Sequence, residues 1–493
     1  MNLLLLLDMA AAGGGDEVAL QVGDDQLSAA ELLSAVWRAG ELVDGASAVA
    51  YVGTNGLGFP VGLFAAAAVG APFVPLNYRL SDDQLDELLG PLGDVVIIAE
   101  GGRVDALAAR GHRVLEGDRL VAQARQGSGA GEVPADAEHP AVLLHTSGTT
   151  SAPKAAVLRH RHLTSYVIGT VEFGAADREE AALVSVPPYH VAGLANLLSN
   201  LYLGRRIVYL RQFEAEEWVS TVRREGVTHA MVVPTMLARI ADVLDADDAG
   251  LPSLRAISYG GSRTPSTVLQ RIMDRLPEVA FTNAYGLTET SSTIAVLGPD
   301  DHRAARSGDP VAVGRLASVG RVLPTVEVQV REGDVAVAIG QPGEIWVRGE
   351  QVSGEYRGLD PSLDPEGWFP TRDRGWVDDE GYLFIEGRSD DTIIRGGENI
   401  APSEIEEVLL DHPDVAQCAV VGVPDEEWGQ RIAAAIVLED GADADADGIR
   451  DFVRQRLRGS KTPDEVTFVD ELPYTETGKL LRRVVLSSLL TPS

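Results

Sequence analysis

The sequence predicts an α/β fold, with a large N-terminal domain of parallel-rich αβ sheets plus a small β region, followed by a small, mobile α+β C-terminal domain. Short apolar runs alternate with helix-like segments through most of the first half of the chain. After Gly298 the runs become short and turn-separated, and a third pattern begins near Gly387. Strands that alternate with helices are typical of α/β proteins, whose buried parallel strands are continuously apolar.

Each predicted element follows from its pattern of apolar residues. In the large domain, the predicted strands are 48–52, 94–99, 141–145, 206–210, 229–233 and 255–258, and the predicted helices include 214–225 and 265–276. In the small β region, the predicted strands are 326–330, 334–339 and 343–348. In the C-terminal domain, the predicted elements are a helix at 403–411, strands at 415–422 and 432–438, a helix at 448–458 and a strand at 465–469.

The composition of the chain indicates which binding partners and which cellular location to expect. The chain has 493 residues, which exceeds one compact domain, and its formal net charge of −33 disfavours nucleic acid and anionic membranes as partners. No apolar run reaches the length of about eighteen residues that a membrane-spanning helix requires. The single cysteine, Cys418, lies in an apolar run that predicts a buried strand, and a lone cysteine is typical of the reducing cytoplasm. We therefore expect a cytoplasmic protein.

A loop rich in glycine and hydroxyl residues follows the strand predicted at 141–145. It spans 146–154 and ends in Lys154. Glycine and small hydroxyl residues let backbone N–H groups approach a phosphate, and lysine adds a mobile positive charge. The Gly-Lys-Ser/Thr ending of a Walker A loop is absent from this segment.

Four later segments carry further chemistry. Residues 283–290 pack an aromatic ring, a hydroxyl and a carboxylate closely together, which suits an adenine stack, a phosphate contact and a magnesium ligand. Residues 367–375 contain a carboxylate that could accept two ribose hydroxyls. The other two segments are the glycine-rich 387–400 and 473–479, which places a lysine on a short loop near the C-terminus.

These five motifs, in this order and spacing, resemble those of the adenylate-forming superfamily, which includes acyl-CoA synthetases, adenylation domains and luciferases. The resemblance covers roughly residues 48–483 and is closest to acyl- and aryl-CoA ligases. It implies a ligase that makes an acyl-CoA thioester from a non-amino carboxylic acid through an acyl-AMP. The implied cofactors are ATP or acyl-AMP, Mg²⁺ and coenzyme A. The implied domains are 1–388 and 391–493, with a hinge at 389–390.

The resemblance also implies residue roles at the nucleotide site. The implied phosphate loop consists of Thr146, Ser147, Gly148, Thr149, Thr150 and Lys154. The other implied nucleotide-binding residues are Gly261, Tyr285 on adenine, Gly286, and Asp373 with Arg388 on the ribose. The implied catalytic residues are Thr288 at the α-phosphate, Glu289 on magnesium, Lys479 bridging carboxylate and α-phosphate, and His190.

Further implied roles concern coenzyme A, the hinge and the acyl pocket. Gly396 and Gly397 would line the pantetheine tunnel, Trp428 would contact coenzyme A, and Asp390 would be the hinge. The implied acyl-pocket residues are Tyr189, His190, Gly193, Gly260 and Ser262. No acidic residue lies between Ser185 and Tyr202, which favours a neutral acyl group over an amino acid.

Three positions depart from the pattern of the superfamily. Ser151 and Ala155 stand where its phosphate loop usually has glycine, and Arg372 stands in its usual Thr-Gly-Asp motif. If the two loop positions need a positive φ, each replacement there is strained by about 1 kcal/mol or more. Arg372 places a bulky cation beside the nucleotide. This motivates an alternative hypothesis, in which the protein has lost adenylation and accepts a preformed acyl-AMP. A non-catalytic nucleotide- or acyl-binding protein is a second alternative, and a luciferase-like oxygenase a minor one.

The sequence leaves several properties open. The acid could be aryl, aliphatic or polycyclic, and the acceptor could be free coenzyme A or a carrier protein. A homodimer and a separate adenylating partner enzyme also stay open. A small-molecule acid and coenzyme A are the expected partners, without nucleic acid or membrane.

Overall fold

The computed structural model describes residues 1–126, 129–146, 154–246, 250–425, 427–475 and 480–490, without the side chain of Asn399. The strands are β1 (Val18–Val22), β2 (Asp25–Ser28), β3 (Ala48–Val52), β4 (Phe73–Pro75), β5 (Val95–Ala99), β6 (Arg113–Glu116), β7 (Pro140–Thr146), β8 (Lys154–Arg159), β9 (Ala181–Val184), β10 (Arg206–Tyr209), β11 (His229–Val232), β12 (Ala256–Gly260), β13 (Ala280–Leu287), β14 (Ser292–Leu297), β15 (Arg321–Val322), β16 (Glu327–Glu332), β17 (Val335–Ala336), β18 (Gly343–Arg348), β19 (Phe369–Val377), β20 (Leu383–Arg388), β21 (Ile393–Arg395), β22 (Glu398–Ile400), β23 (Val415–Asp425), β24 (Gly429–Leu438) and β25 (Glu465–Phe468). The helices are α1 (Leu4–Gly14), α2 (Ala29–Val43), α3 (Gly58–Val69), α4 (Asp82–Leu89), α5 (Arg103–Ala109), α6 (Gly117–Ala124), α7 (His160–Thr170), α8 (Val191–Leu203), α9 (Ala215–Glu225), α10 (Pro234–Asp245), α11 (Ser266–Arg275), α12 (Pro299–Ala305), α13 (Pro310–Arg315), α14 (Pro402–Leu410), α15 (Ala446–Arg456) and α16 (Arg482–Leu490).

Two mainly parallel sheets form the large domain. Among the described residues, one has nine strands in the order β15-β14-β13-β12-β11-β9-β10-β1-β2, and the other has six in the order β6-β5-β3-β4-β7-β8. In the second sheet, alternate residues of β3 enter different cores: Val49 and Tyr51 pack in one, and Ala48 and Val52 in another. Both faces of this strand are therefore buried, which explains its continuous apolar run.

A buried asparagine connects the two sheets at the ends of their strands. The side-chain amide of Asn55, which follows β3, donates to the carbonyl of Val186 at 3.1 Å and to that of Leu210 at 3.0 Å. Those two carbonyls follow β9 and β10 of the nine-stranded sheet. The carboxyl ends of strands from both sheets thus lie close together.

The remaining sheets are smaller. An antiparallel sheet of the described strands has the order β17-β16-β18-β19-β20 and forms the small β region. A 3₁₀ turn, Ser389–Asp391, then leads into the hairpin β21–β22 and the sheet β23-β24-β25, which pack with α14 and α15 on a separate core. The predicted fold is confirmed, whereas the bounds 1–388, 389–390 and 391–493 stay a prediction.

Most predicted elements agree with the structure apart from small differences at their ends. The N-terminal leucines begin α1, and Cys418 lies buried in β23, as predicted. The strand predicted at 334–339 is wrong in length, because only Val335–Ala336 pair with β16 at the exposed edge of the sheet. Within the described ranges, no helix is long and apolar enough to cross a membrane.

Two buried histidines at the start of α7 predict how stability depends on pH. His160 Nδ1 accepts the Leu3 N–H at 3.2 Å, and His162 Nδ1 accepts the Arg159 N–H at 3.1 Å. Burial lowers the pKa of His160 to about 4 and that of His162 to about 3. Because the unfolded chain binds these protons near pH 6.5, stability is complete above that pH and falls as the pH drops towards the folded pKa values.

Between pH 7.5 and pH 5, we expect the free energy of unfolding to fall by about 2 kcal/mol for each of these histidines. Urea unfolding at the two pH values measures this change. A His162→Gln variant should lose part of the pH dependence, since the amide does not titrate. Equal unfolding free energies at both pH values in the wild type would contradict the assignment.

Candidate active site

The predicted pocket residues lie at one edge of the nine-stranded sheet. Strands β9, β11, β12 and β13 are parallel neighbours, so their carboxyl ends meet at the same edge. Tyr189 and His190 follow β9, Ser262 follows β12, and Tyr285 lies near the end of β13. In open α/β sheets, ligands bind outside the carboxyl ends of the strands, so the chain order alone brings these motifs together.

Two glycines at this edge are sterically required. A Cβ on Gly260 would lie 2.1 Å from the Ala284 carbonyl oxygen, and a Cβ on Gly286 would lie 1.8 Å from that of Ser292. Gly261 has a φ of +89°, which favours glycine. Gly260 and Gly286 therefore let β12, β13 and β14 approach one another closely at this edge of the sheet.

Three predicted nucleotide-binding residues from separate motifs are in direct contact. Tyr285 Oη donates to Asp373 Oδ2 at 2.5 Å, and Arg388 Nη1 lies 3.0 Å from Asp373 Oδ1. Burial and the carboxylate of Asp373 raise the pKa of Tyr285, so its hydroxyl stays a donor. A buried carboxylate beside a tyrosine ring can accept hydroxyl groups from a ribose whose base stacks on that ring.

A β-bulge in β19 places Asp373 beside Tyr285 at the predicted nucleotide site. Trp346 of β18 pairs with Pro370, and Glu344 pairs with Arg374, so Ile345 faces three residues, 371–373. Bulges of this kind redirect side chains and are common beside active sites. At the centre of the bulge, Arg372 has a φ of +60°. An arginine in this conformation is strained by about 1–2 kcal/mol relative to glycine, which the sequence analysis did not predict.

The strain that a positive φ would impose on Ala155 does not occur. This residue pairs with His145 in β8 and is absent from the described non-glycine residues that have a positive φ. Alanine there carries no backbone strain, because an extended strand suits any residue with a side chain. Ser151 lies outside the described residues.

A contact that we did not predict connects Glu289 to Lys154. The hydroxyl of Tyr356 donates to Glu289 Oε1 at 2.5 Å, and Lys154 Nζ lies 5.7 Å from the centroid of the Tyr356 ring. Burial and Glu289 raise the pKa of Tyr356, so the hydroxyl stays protonated. Tyr356 is placed by an antiparallel bridge to Ala156, which adds its segment to the edge of β8.

The sequence gives only a weak signal for Tyr356, an aromatic residue between the glycines Gly354 and Gly358. Its bridge to Ala156 joins residues about two hundred positions apart. No local pattern predicts such a pairing.

The carboxylate of Glu289 fits a magnesium ion that is bound largely by phosphates. Its side chain is buried in the 3₁₀ turn Thr288–Thr290 and accepts a hydrogen bond from Tyr356. No group of three metal-binding side chains occurs among the described residues. Magnesium commonly uses one or two protein carboxylates together with substrate phosphates, so one carboxylate suffices.

The ends of the predicted phosphate loop are held together. Thr146 and Lys154 are paired across β7 and β8, and Thr146 Oγ1 donates to the Lys154 carbonyl at 3.3 Å. The predicted residues Ser147, Gly148, Thr149 and Thr150 lie outside the described residues.

An aromatic cluster marks the predicted acyl pocket. The ring centroids of Tyr189 and His190 are 4.7 Å apart, and those of Tyr78 and Tyr189 are 6.0 Å apart. Burial lowers the pKa of His190 to about 4, so its ring is neutral near pH 7. A Cβ on Gly193 would lie 2.8 Å from the Pro187 carbonyl oxygen, which explains the glycine at the start of α8.

The predicted coenzyme A residues cluster in the small domain, away from the nucleotide residues. The Gly396 N–H donates to the Trp428 carbonyl at 2.8 Å, and a Cβ on Gly396 would lie 3.1 Å from the Trp428 ring. Gly397 has a φ of +83°, and Trp428 is 46% exposed. Asp390 is exposed in the 3₁₀ turn that follows Arg388.

Lys479 lies outside the described residues, but the chain on both sides of its loop is fixed. Tyr474 and Leu480 form an antiparallel bridge. Arg482, at the start of α16, donates to Glu406 Oε2 at 2.8 Å and to the Val420 carbonyl at 2.8 Å. These contacts hold the base of the predicted lysine loop on the small domain.

Comparison with known proteins agrees with this geometry. Residues 7–357 match the family described as AMP-binding enzyme, and residues 404–479 match its C-terminal domain. The chain belongs to the AMP-binding enzyme family. It is thereby a member of the adenylate-forming superfamily, on the side of the acyl- and aryl-CoA ligases, as the motifs predicted.

Individual relatives of this AMP-binding enzyme support the same placement. It is 35% identical to a feruloyl-CoA synthase from an Amycolatopsis species, over 88% of this chain and 87% of the relative. It is 32% identical to an indoleacetate–CoA ligase from Aromatoleum aromaticum, over 97% and 96% of the two chains. The o-succinylbenzoate CoA synthetase of Bacillus subtilis, solved with its acyl-adenylate intermediate, superposes with a TM-score of 0.85 at 27% identity, covering 97% of each chain.

Proposed function

We propose that this AMP-binding enzyme joins an aromatic carboxylic acid to coenzyme A, using ATP and magnesium, through an acyl-AMP. The observation that carries the proposal is the contact of Tyr285, Asp373 and Arg388, which unites three motifs at the edge of a sheet. The proposed cytoplasmic location follows from the single cysteine, which is buried.

In the first half-reaction, a carboxylate oxygen of the acid attacks the α-phosphorus of ATP. An oxygen–phosphorus bond forms, the bond to the bridging oxygen of the β-phosphate breaks, and pyrophosphate leaves. Asp373 and Arg388 orient the ribose, and Tyr285 packs on adenine. Magnesium, which Glu289 would help to hold, supplies positive charge beside the phosphates. Lys479 neutralises the charge that develops between the carboxylate and the α-phosphate.

In the second half-reaction, the sulfur of coenzyme A attacks the acyl carbon. A carbon–sulfur bond forms, the carbon–oxygen bond to AMP breaks, and the thiol proton passes to solvent. We propose that rotation at Asp390 removes Lys479 and presents Gly396, Gly397 and Trp428 to the acyl-AMP. The exposed position of Asp390 between β20 and the hairpin supports this hinge.

The proposed substrate class rests on two observations. Tyr78, Tyr189 and His190 form a neutral aromatic cluster at the predicted acyl pocket. Three of the similar proteins are named for feruloyl, indoleacetate and o-succinylbenzoate groups, and each of these groups contains an aromatic ring. Aromatic rings favour such neighbours in edge-to-face and offset arrangements.

The test is incubation of the purified protein with ATP, magnesium, coenzyme A and matched panels of aromatic and aliphatic acids. Acyl-CoA is measured by mass. We expect product from aromatic acids, at rates above those for aliphatic acids of equal size. A preference for aliphatic acids would overturn the substrate class, and no product from any acid would favour a non-catalytic binding protein.

Replacing Tyr356 with phenylalanine tests the contact with Glu289. The change removes one hydrogen bond to a buried carboxylate, and loss of a supporting contact of this kind lowers metal affinity about tenfold or more. We therefore expect the magnesium concentration for half-maximal acyl-AMP formation to rise by about tenfold.

Tyr382→Phe is the matched control, because Tyr382 donates at 2.7 Å to Asp301, a carboxylate outside the predicted nucleotide site. This variant should keep the magnesium dependence of the wild type. Equal dependence in both variants would show that Tyr356 does not support the metal carboxylate.

A further inference from the structure

The neighbourhood of Tyr356 is electropositive in a chain whose net charge is −33. Lys154 Nζ lies 5.7 Å from the centroid of its ring. Arg372 and Arg388 both act on Tyr356 to lower the pKa of its hydroxyl, although burial and Glu289 outweigh them and raise it. Lys154 thus lies beside the Tyr356 ring, and Arg372 directly precedes Asp373, whose carboxylate pairs with Arg388.

Among the described residues, only one of these cations forms an ion pair with a carboxylate. Asp373 pairs with Arg388 at 3.0 Å. Across the described ranges, Lys154 and Arg372 form no ion pair, although the carboxylate of Glu344 accepts the backbone N–H of Arg372 and interacts with its charge. Positive charge that the described carboxylates do not fully neutralise provides a local binding place for an anion.

Arg372 is held in a conformation that glycine would adopt without strain. It is exposed at the centre of the β19 bulge, whereas Thr371 and Asp373 on either side are buried. Thr371 closes the bulge, because its Oγ1 donates to the Ile345 carbonyl at 2.7 Å and accepts the Asp373 N–H at 3.1 Å. The bulge therefore does not depend on the arginine side chain. Strained residues of this kind concentrate at functional sites.

We propose that Arg372 is a phosphate-binding residue, which acts with Lys154 on a substrate phosphate group. The guanidinium fork suits the geometry of phosphate oxygens. The proposal rests on the proposed function, in which both ATP and coenzyme A carry phosphates. The position of Arg372 directly before Asp373, which pairs with Arg388, favours the phosphates of ATP, as do the contacts of Tyr356 with Glu289 and Lys154.

The test uses the variants Arg372→Gly and Arg372→Lys, with Arg374→Ala as a control. Arg374 lies on the same strand and pairs with Glu332 at 3.5 Å, so its loss removes one positive charge outside the bulge. Dissociation constants for ATP with magnesium and for coenzyme A are measured by titration calorimetry. Melting temperatures are recorded for every variant.

For Arg372→Gly, we expect the dissociation constant for ATP to rise about tenfold or more, since a charged hydrogen bond is lost. The melting temperature should stay equal or increase, because glycine accepts the backbone conformation. Arg372→Lys should recover part of the affinity, and Arg374→Ala should bind like the wild type. A weaker affinity for coenzyme A in place of ATP would assign the contact to a coenzyme A phosphate.

Unchanged affinity for both ligands in Arg372→Gly would overturn the proposal. A lower melting temperature with unchanged affinity would show that the arginine is purely structural. Because the readout is binding, the result is independent of whether the wild type forms acyl-CoA, so failure of the proposed function is detected separately.

Discussion

Replacing Lys479 with alanine is expected to slow acyl-AMP formation between about a hundredfold and a thousandfold, which is the usual effect of removing one group that stabilises developing charge. The second half-reaction should keep the rate of the wild type when synthetic acyl-AMP is supplied, because in the proposed mechanism the lysine acts only on the attack at phosphorus. Acid-dependent ATP–pyrophosphate exchange measures the first step, and acyl-CoA formation from the adenylate measures the second.

The scarcity of lysine in this chain makes the control for this variant unusually simple. Lysine occurs at three positions, Lys154, Lys461 and Lys479. Lys461 forms an ion pair with Glu404 and belongs to none of the predicted nucleotide-binding motifs. Lys461→Ala should therefore leave the ratio of the two half-reactions unchanged. An equal loss of both half-reactions in Lys479→Ala would remove Lys479 from its proposed role.

Replacing Gly286 with alanine is expected to abolish activity and to destabilise the large domain. The added Cβ would lie 1.8 Å from the Ser292 carbonyl oxygen, so β13 and β14 must separate. A backbone shift of about 1 Å at a reacting site can lower the rate by about a hundredfold. Overpacking against backbone atoms lowers the free energy of unfolding by about 3 kcal/mol or more.

Gly314→Ala provides the matched control, because Gly314 lies in α13 and a Cβ there would meet no atom within 4 Å. Alanine is favoured over glycine in helices by about 1 kcal/mol, so this variant should be equally or more stable. Urea unfolding and acyl-CoA formation are measured for both. A Gly286→Ala protein with normal stability and rate would contradict the close approach of β13 and β14.

Local sequence patterns were sufficient for most of the fold and for part of the site. Continuous apolar runs predicted the buried strands. In β3, for example, the run is continuous because the residues on each face of the strand pack in a hydrophobic core. The partners Tyr285 and Asp373 were predicted to share a nucleotide site, and the structure places them in contact. Each lies in a compact motif at the end or bulge of a strand, where the chemistry is visible in a few neighbouring residues.

The unpredicted features depend on distant pairing or on backbone angles. Tyr356 reaches Glu289 because its segment pairs with Ala156 at the edge of β8, which no local pattern encodes. The strain at Arg372 and its absence at Ala155 follow from whether the residue lies in a bulge or in a regular strand pair. A comparison of residue types with the superfamily motifs treats Arg372 and Ala155 alike, although only Arg372 has a strained backbone.

This difference bears on whether adenylation is retained. Ala155 fits its strand, which weakens the hypothesis that the phosphate loop is disabled. Acid-dependent ATP–pyrophosphate exchange by the wild-type protein is the most direct test, because it detects acyl-AMP formation without coenzyme A. We predict exchange that requires magnesium and an aromatic acid. No exchange with any acid, from protein that converts synthetic acyl-adenylates to acyl-CoA, would contradict a complete ligase and show that the protein performs the second half-reaction alone.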